Sequence, residues 1–239
     1  MMIPRFRAVT RRTVISQSAA SAVISFFLPK RVFGQTPTPE PPASRYVARV
    51  RSDEWAGLET ASATPVADAE LAGPNLLDAL REGGFVIYFR HASTDFSEDD
   101  TNLSDLSNCA TQRNLAEDGR EQSRQIGEAI AALEIPISDV LSSELCRTRE
   151  TAELAFGRVI LEPELSSFGT AESDEEVEGR AQALRRMLGT PPESGTNTVL
   201  VGHLFNIQRA VGLSLAEGEA GIFLPLGTEA TPASTPGSA

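Results

Sequence analysis

The 239-residue chain contains two histidines, and both stand at the end of an apolar run. Residues 85–89 (FVIYF) stop at Arg90-His91, and residues 199–201 (VLV) stop at Gly202-His203. A third run, Val140-Leu141, leads into Ser142-Ser143, with Arg147 in the first turn of the segment that follows. In an open parallel sheet, ligands bind in the crevice beyond the carboxyl ends of the strands. Two arginines and two imidazoles meeting there suit a phosphate monoester. Guanidinium forks match phosphate oxygens two at a time and keep their charge near neutrality. An imidazole among arginines has its pKa pushed down, which favours a neutral ring with a lone pair for attack. Phosphoryl transfer needs chiefly an in-line nucleophile and neutralised equatorial oxygens. On this reading His91 is the nucleophile, and Arg90, Arg147 and His203 hold the phosphate.

The elements that must position these groups alternate along the chain. Helices are expected over 76–82, 115–133, 144–156, 173–189 and 205–211, and short strands over 85–89, from 140, and over 159–161, 199–201 and 222–224. Ser173, three residues before Glu176 and followed by acids, marks the start of the fourth helix as a capping box. The 85–89 strand is apolar on both faces, as in a parallel sheet covered by helices on each side. The expected architecture is therefore a three-layer α/β/α sandwich with a mostly parallel central sheet.

The flanks read differently. Residues 1–34 carry Arg5, Arg7, Arg11, Arg12, Lys30 and Arg31 and no acid. Arg11-Arg12 precede a mildly apolar stretch from Ser18 to Leu28, as in an export signal of the twin-arginine type. Residues 35–72 comprise a Pro-rich linker (QTPTPEPPAS) and a polar stretch whose Trp55 is its one anchor. The working domain is expected over 73–227, with a low-complexity tail over 228–239. Without residues 1–34 the chain keeps 15 cations, all arginine, against 33 acids, a net charge near −18. Such a body repels nucleic acid and anionic membrane surfaces. The expected compartment is the periplasm or the exterior, with no stable membrane association once the signal is removed. Cys109 and Cys146 either pair there or stand as separate thiols. Two cysteines and two histidines without a close pair do not point to a metal.

The quoted blocks resemble the histidine phosphatase superfamily, which includes the cofactor-dependent phosphoglycerate mutases. YFRHAST is similar to its Arg-His-Gly strand end, QRNLAEDGR to the opening of its first long helix, LSSELCRTRETA to its second block and VLVGHLFNI to its third. Order and spacing agree over about residues 76–226. The resemblance implies the phosphoglycerate mutase-like fold and a phosphorylated His91. It places Arg90, Arg147 and His203 in the phosphate pocket and requires no metal or cofactor. Ala92 stands where glycine is commoner. Leu204 stands where one branch has an aspartate acid, and the mutase glutamate has no counterpart, so the proton donor is not assigned. The expected donor is Glu219, with Asp95 as rival, and Arg113 is expected at the pocket mouth as a substrate contact. The function expected is phosphomonoester hydrolysis on a small phosphorylated substrate or a phosphoprotein. A catalytically weak phosphate-binding protein and a phosphomutase are the alternatives.

Overall fold

The computed structural model describes residues 43–60 and 70–227. The export signal, most of the Pro-rich linker and the 228–239 tail lie outside the described residues. In chain order the elements are β1 (Ser44–Val50), α1 (Gly73–Glu82), β2 (Val86–Arg90), α2 (Glu117–Ala132), β3 (Ile137–Ser142), α3 (Cys146–Phe156), β4 (Ile160–Leu161), α4 (Asp174–Gly189), β5 (Asn197–Gly202), α5 (Leu204–Val211) and β6 (Ala220–Pro225). The six strands form one sheet in the order β1-β6-β2-β5-β3-β4. The pairings β2/β5, β5/β3 and β3/β4 are parallel, while β6 runs antiparallel to both β2 and β1.

Alternation along β2 explains the three layers, because successive side chains of a strand leave opposite faces. Ile87 and Phe89 join Leu76, Leu80, Ile126, Ile130 and Ala152 under α1, α2 and α3. Val86 and Tyr88 join Leu184, Leu188 and Ile207 under α4 and α5. Both faces of β2 are sealed, so from Val86 to Phe89 it carries no polar side, as its composition requires. The first face also takes in Trp55, fully buried, with its ring 5.7 Å from that of Phe89. The compact body thus starts at β1 rather than at residue 73, for β1 extends the sheet along β6 and Trp55 plugs the core beneath it. The α4 start is capped as expected. Ser173 Oγ accepts from the Glu176 amide at 3.2 Å, and Glu176 reaches back to the amide of Glu172. Among the described residues, no helix is long and apolar enough to cross a membrane.

Register brings the functional strand ends together. Arg90 lies opposite Gly202 across β2/β5, and Ser142 lies opposite Val201 across β3/β5. Arg90-His91, Ser143 and Gly202-His203 therefore emerge side by side. After the two-turn α5 the chain returns to that same rim before entering β6, whose first residue, Ala220, pairs with Phe89. That return is why β6 is antiparallel, and it carries residues 215–219 across the end of β2.

Candidate active site

His91 and His203 are both buried, with ring centroids 5.5 Å apart and edge to face. His91 Nδ1 lies 2.9 Å from the Ala92 carbonyl oxygen. A carbonyl can only accept, so Nδ1 carries the proton and Nε2 keeps the lone pair. Burial pushes this ring down from 6.5 to about 3, against a smaller upward pull from the Ala92 carbonyl. The charges of Arg147, Arg90 and Arg113 add to the fall. His203 is held well below its ordinary value, by burial first and then by His91 and the same three arginines. Both rings are neutral at physiological pH, the state a nucleophile needs.

The loop that follows β2 is fixed from below. The Ala92 amide donates to Thr151 Oγ1 in α3, whose own hydroxyl donates to the Arg147 carbonyl. Gly119 opens α2 directly against this loop, and a Cβ there would sit 2.0 Å from the Ser93 carbonyl oxygen. Only glycine permits that approach. Gly202 has a similar reason: a Cβ would meet the Tyr88 hydroxyl at 2.3 Å. That hydroxyl donates to the His203 carbonyl at 2.9 Å, and burial raises the Tyr88 pKa, so it stays a donor. His203 Nε2 lies 2.9 Å from Ser143 Oγ, which already accepts from the Leu145 amide. The Ser143 proton is thus available to His203 Nε2, which leaves Nδ1–H as that ring's donor.

Three guanidinium groups complete the pocket. Among the described residues, the buried side-chain nitrogens without a hydrogen-bond partner include Nε of Arg90, Arg113 and Arg147. Such donors are costly to leave unmade unless an acceptor belongs there. Arg90 and Arg147 are anchored through Nη nitrogens. Arg90 Nη1 donates to the Leu215 carbonyl and Nη2 to Glu217 Oε1. Arg147 Nη1 donates to Asp100 Oδ1 at 3.0 Å and to the Arg113 carbonyl at 3.3 Å. Burial lowers the pKa of both groups, while Glu217 beside Arg90 and Asp100 beside Arg147 raise it. The Arg113 guanidinium lies over the Phe96 ring, 4.9 Å from its centroid, and its charge bears on both histidines. The structure thus brings Arg113 near both histidines. Arg149, two positions from Arg147, faces away and sits 3.9 Å from Glu153.

The expected proton donor is displaced. Glu219 is buried, but its Oε2 accepts from the Ala216 amide at 2.7 Å and its Oε1 faces Arg49 of β1 at 3.6 Å. It closes its own turn and touches neither histidine. Gly218, at φ +76°, reverses the chain between it and Glu217, so the two side chains leave in different directions. Glu217 is the carboxylate at the site. Its Oε1 lies 3.9 Å from His91 Nδ1 and accepts from Arg90 Nη2 and Thr94 Oγ1, and its Oε2 accepts from the Thr94 amide. Asp95, the rival, accepts from the amide and hydroxyl of Ser97 in an exposed turn. Sequence reasoning also missed Asp100, which lies in an acidic run with nothing local to single it out.

Cys109 and Cys146 form a disulfide, which settles the choice between pairing and separate thiols. It ties the segment ahead of Arg113 to the first residue of α3. Leu145 at the N-cap offers no side-chain acceptor, and the buried Gln112 takes over: its Oε1 accepts from the Cys146 amide at 2.9 Å. One of the helix's orphan donors is thereby satisfied from 34 residues away. Arg147, next in sequence, is held by this double anchor. Among the described residues, no group of three or more His, Cys, Asp or Glu is placed to hold a metal ion.

A family model described as histidine phosphatase superfamily (branch 1) matches residues 86–197. The match runs from the first residue of β2 to the first of β5, so it includes Arg90, His91, Arg113 and Arg147, while His203 and Glu217 lie beyond it. Among curated proteins, none matches the chain. Solved structures similar to it include an open reading frame of Mycobacterium tuberculosis, at 16% identity over 58% of this chain and 90% of that one, TM-score 0.44. A phosphoserine phosphatase of Entamoeba histolytica in complex with 3-phosphoglyceric acid is 18% identical over 58% and 88%, TM-score 0.41. The protein histidine phosphatase SixA complexed with tungstate is 16% identical over 53% and 74%, TM-score 0.32. The matched segment runs through the strand end that bears His91 and the helix that bears Arg147, and over that segment this chain is similar to the histidine phosphatase superfamily.

Proposed function

We propose that the protein hydrolyses phosphomonoesters through a phosphohistidine at His91. One observation carries the reading. His91 commits its Nδ1 proton to the Ala92 carbonyl, and its free Nε2 shares a pocket with three arginines whose Nε donors lack acceptors. In the first step the Nε2 lone pair attacks phosphorus and the bond to the leaving oxygen breaks. In the monoanion of the ester, the phosphate's own proton can pass to that oxygen, so the alcohol departs neutral. Water then attacks phosphorus from the vacated side, the N–P bond breaks, and its electron pair returns to Nε2. Splitting the reaction in this way replaces one difficult displacement by two easier ones. The three guanidinium groups and the His203 Nδ1–H neutralise the equatorial oxygens.

Glu217 serves as countercharge. Its two oxygens accept from three donors, an arrangement for an anion rather than for an acid with a proton to give. The phosphorylated ring is cationic, and a carboxylate 3.9 Å from its Nδ1 stabilises it. Glu219 is not proposed as the donor. The leader with Arg11-Arg12 supports export by the twin-arginine route, and the disulfide suits an oxidising compartment.

The test is trapping. Protein lacking residues 1–34, mixed with a 32P-labelled monoester and quenched in alkali, should retain label on His91 and lose it in acid. His91→Ala should fold normally, hold no label and lose turnover. Near-normal rates in that variant would overturn the assignment. Phosphate binding without turnover across a panel of esters would leave a binding protein.

A further inference from the structure

The pocket's charge has a second component that the phosphate does not use. Asp100 Oδ1 accepts from Arg147 Nη1 at 3.0 Å and from the Arg113 amide at 2.9 Å, and the Asp100 side chain remains 26% exposed. It therefore holds one Nη of the guanidinium whose buried Nε has no hydrogen-bond partner, while part of its own side chain stays open to solvent. Three guanidinium groups, two carboxylates and two neutral rings leave the site with one net positive charge. The phosphomonoester monoanion already cancels it. Any further negative charge on the leaving group would enter beside the partly exposed Asp100 carboxylate.

We infer that Asp100 determines substrate specificity by excluding leaving groups that carry a negative charge, so that the substrates are phosphomonoesters of neutral or cationic alcohols. This rests on the phosphatase reading given above. Discrimination of this kind works by repulsion of the wrong partner as much as by attraction of the right one. Asp100 forms no bond with the reacting atoms, so its effect falls on KM across the substrate series and much less on kcat.

Three two-carbon esters of nearly equal size isolate the charge: phosphoethanolamine, ethyl phosphate and phosphoglycolate. The wild-type protein should turn over the first two with kcat/KM at least about tenfold above the third. Asp100→Asn keeps an acceptor for Arg147 and the Arg113 amide while removing the charge, and it should narrow that gap about tenfold, through KM. Asp99→Asn, an adjacent exposed acid, should leave the gap intact. Should Asp100→Asn not fold, Asp100→Ser removes the same charge in a smaller side chain. Hydrolysis without discrimination, or a gap unchanged in the Asp100 variants, or one closed equally by Asp99→Asn, overturns this inference and leaves the phosphatase reading standing. No hydrolysis of any of the three, with no label trapped on His91, overturns both.

Discussion

Replacing Cys109 and Cys146 by serine together removes a cross-link between positions 37 apart in sequence. In the chain-entropy picture, opening a loop of that length returns about 13 cal/mol/K to the unfolded chain, or about 4 kcal/mol at 25 °C. Domains of this size are stable by roughly 5–15 kcal/mol, so the loss is a large fraction of the total. The native contacts around the bridge survive, because Gln112 still caps the Cys146 amide position and Asp100 still holds Arg147. Folding should persist, with a much lower urea midpoint and a somewhat steeper slope, because the opened chain exposes more surface on unfolding. The functional effect is separate: the bridge anchors the segment leading to Arg113 and the start of α3, so phosphate affinity should weaken several-fold while the His91 environment stays intact. The assay is equilibrium urea unfolding of wild type and double variant, each with and without reductant, alongside inorganic phosphate binding. Reductant should move the wild type toward the variant and leave the variant where it is. A difference below about 1 kcal/mol between the oxidised wild type and the variant would refute the loop-closure reasoning.

Two further outcomes follow from the electrostatics. His91 falls from 6.5 to about 3 on folding, so the unfolded chain binds its proton first. The stability that this neutral ring contributes is complete above about pH 6.5 and is lost progressively as pH falls toward 3. His91→Ala should flatten the stability profile across that window; an unchanged slope in urea midpoints against pH would contradict the burial argument. The acid limb of kcat/KM for the wild type should accordingly not arise from His91 above about pH 4. Glu217→Gln keeps the bond to Arg90 but removes the charge 3.9 Å from His91 Nδ1. Two charges at that distance interact by about 4 kcal/mol at an effective dielectric of 20, and the Ala92 carbonyl remains, so kcat should fall by about 10- to 100-fold. Pre-steady-state phosphorylation should slow in parallel, and unaltered kinetics would remove Glu217 from the site's chemistry.

How much of this was readable before the structure depends on how local each signal is. Apolar runs ending in Arg90-His91 and Gly202-His203 carry their meaning within five residues, and β2 and β5 stand where those runs place them. The α4 start was legible for the same reason, since a capping box is complete in four residues. β1 was not, because a short polar edge strand has no pattern of its own and its partner β6 lies some 170 residues onward. Glu219 was a reasonable carboxylate in the correct stretch of chain and the wrong one of two. The φ of Gly218 decides which glutamate faces His91, and no periodicity reports it.

Local sequence fixes the residue types gathered at the strand ends and the alternation that puts them on one rim of a parallel sheet. Tertiary structure decided which carboxylates enter the pocket, that the cysteines pair, and that Asp100 holds one Nη of Arg147. The division has a physical cause. Strand and helix preferences act over a few residues, whereas Glu217, Asp100 and the disulfide reach the site through loop closures whose direction is set by packing between distant segments.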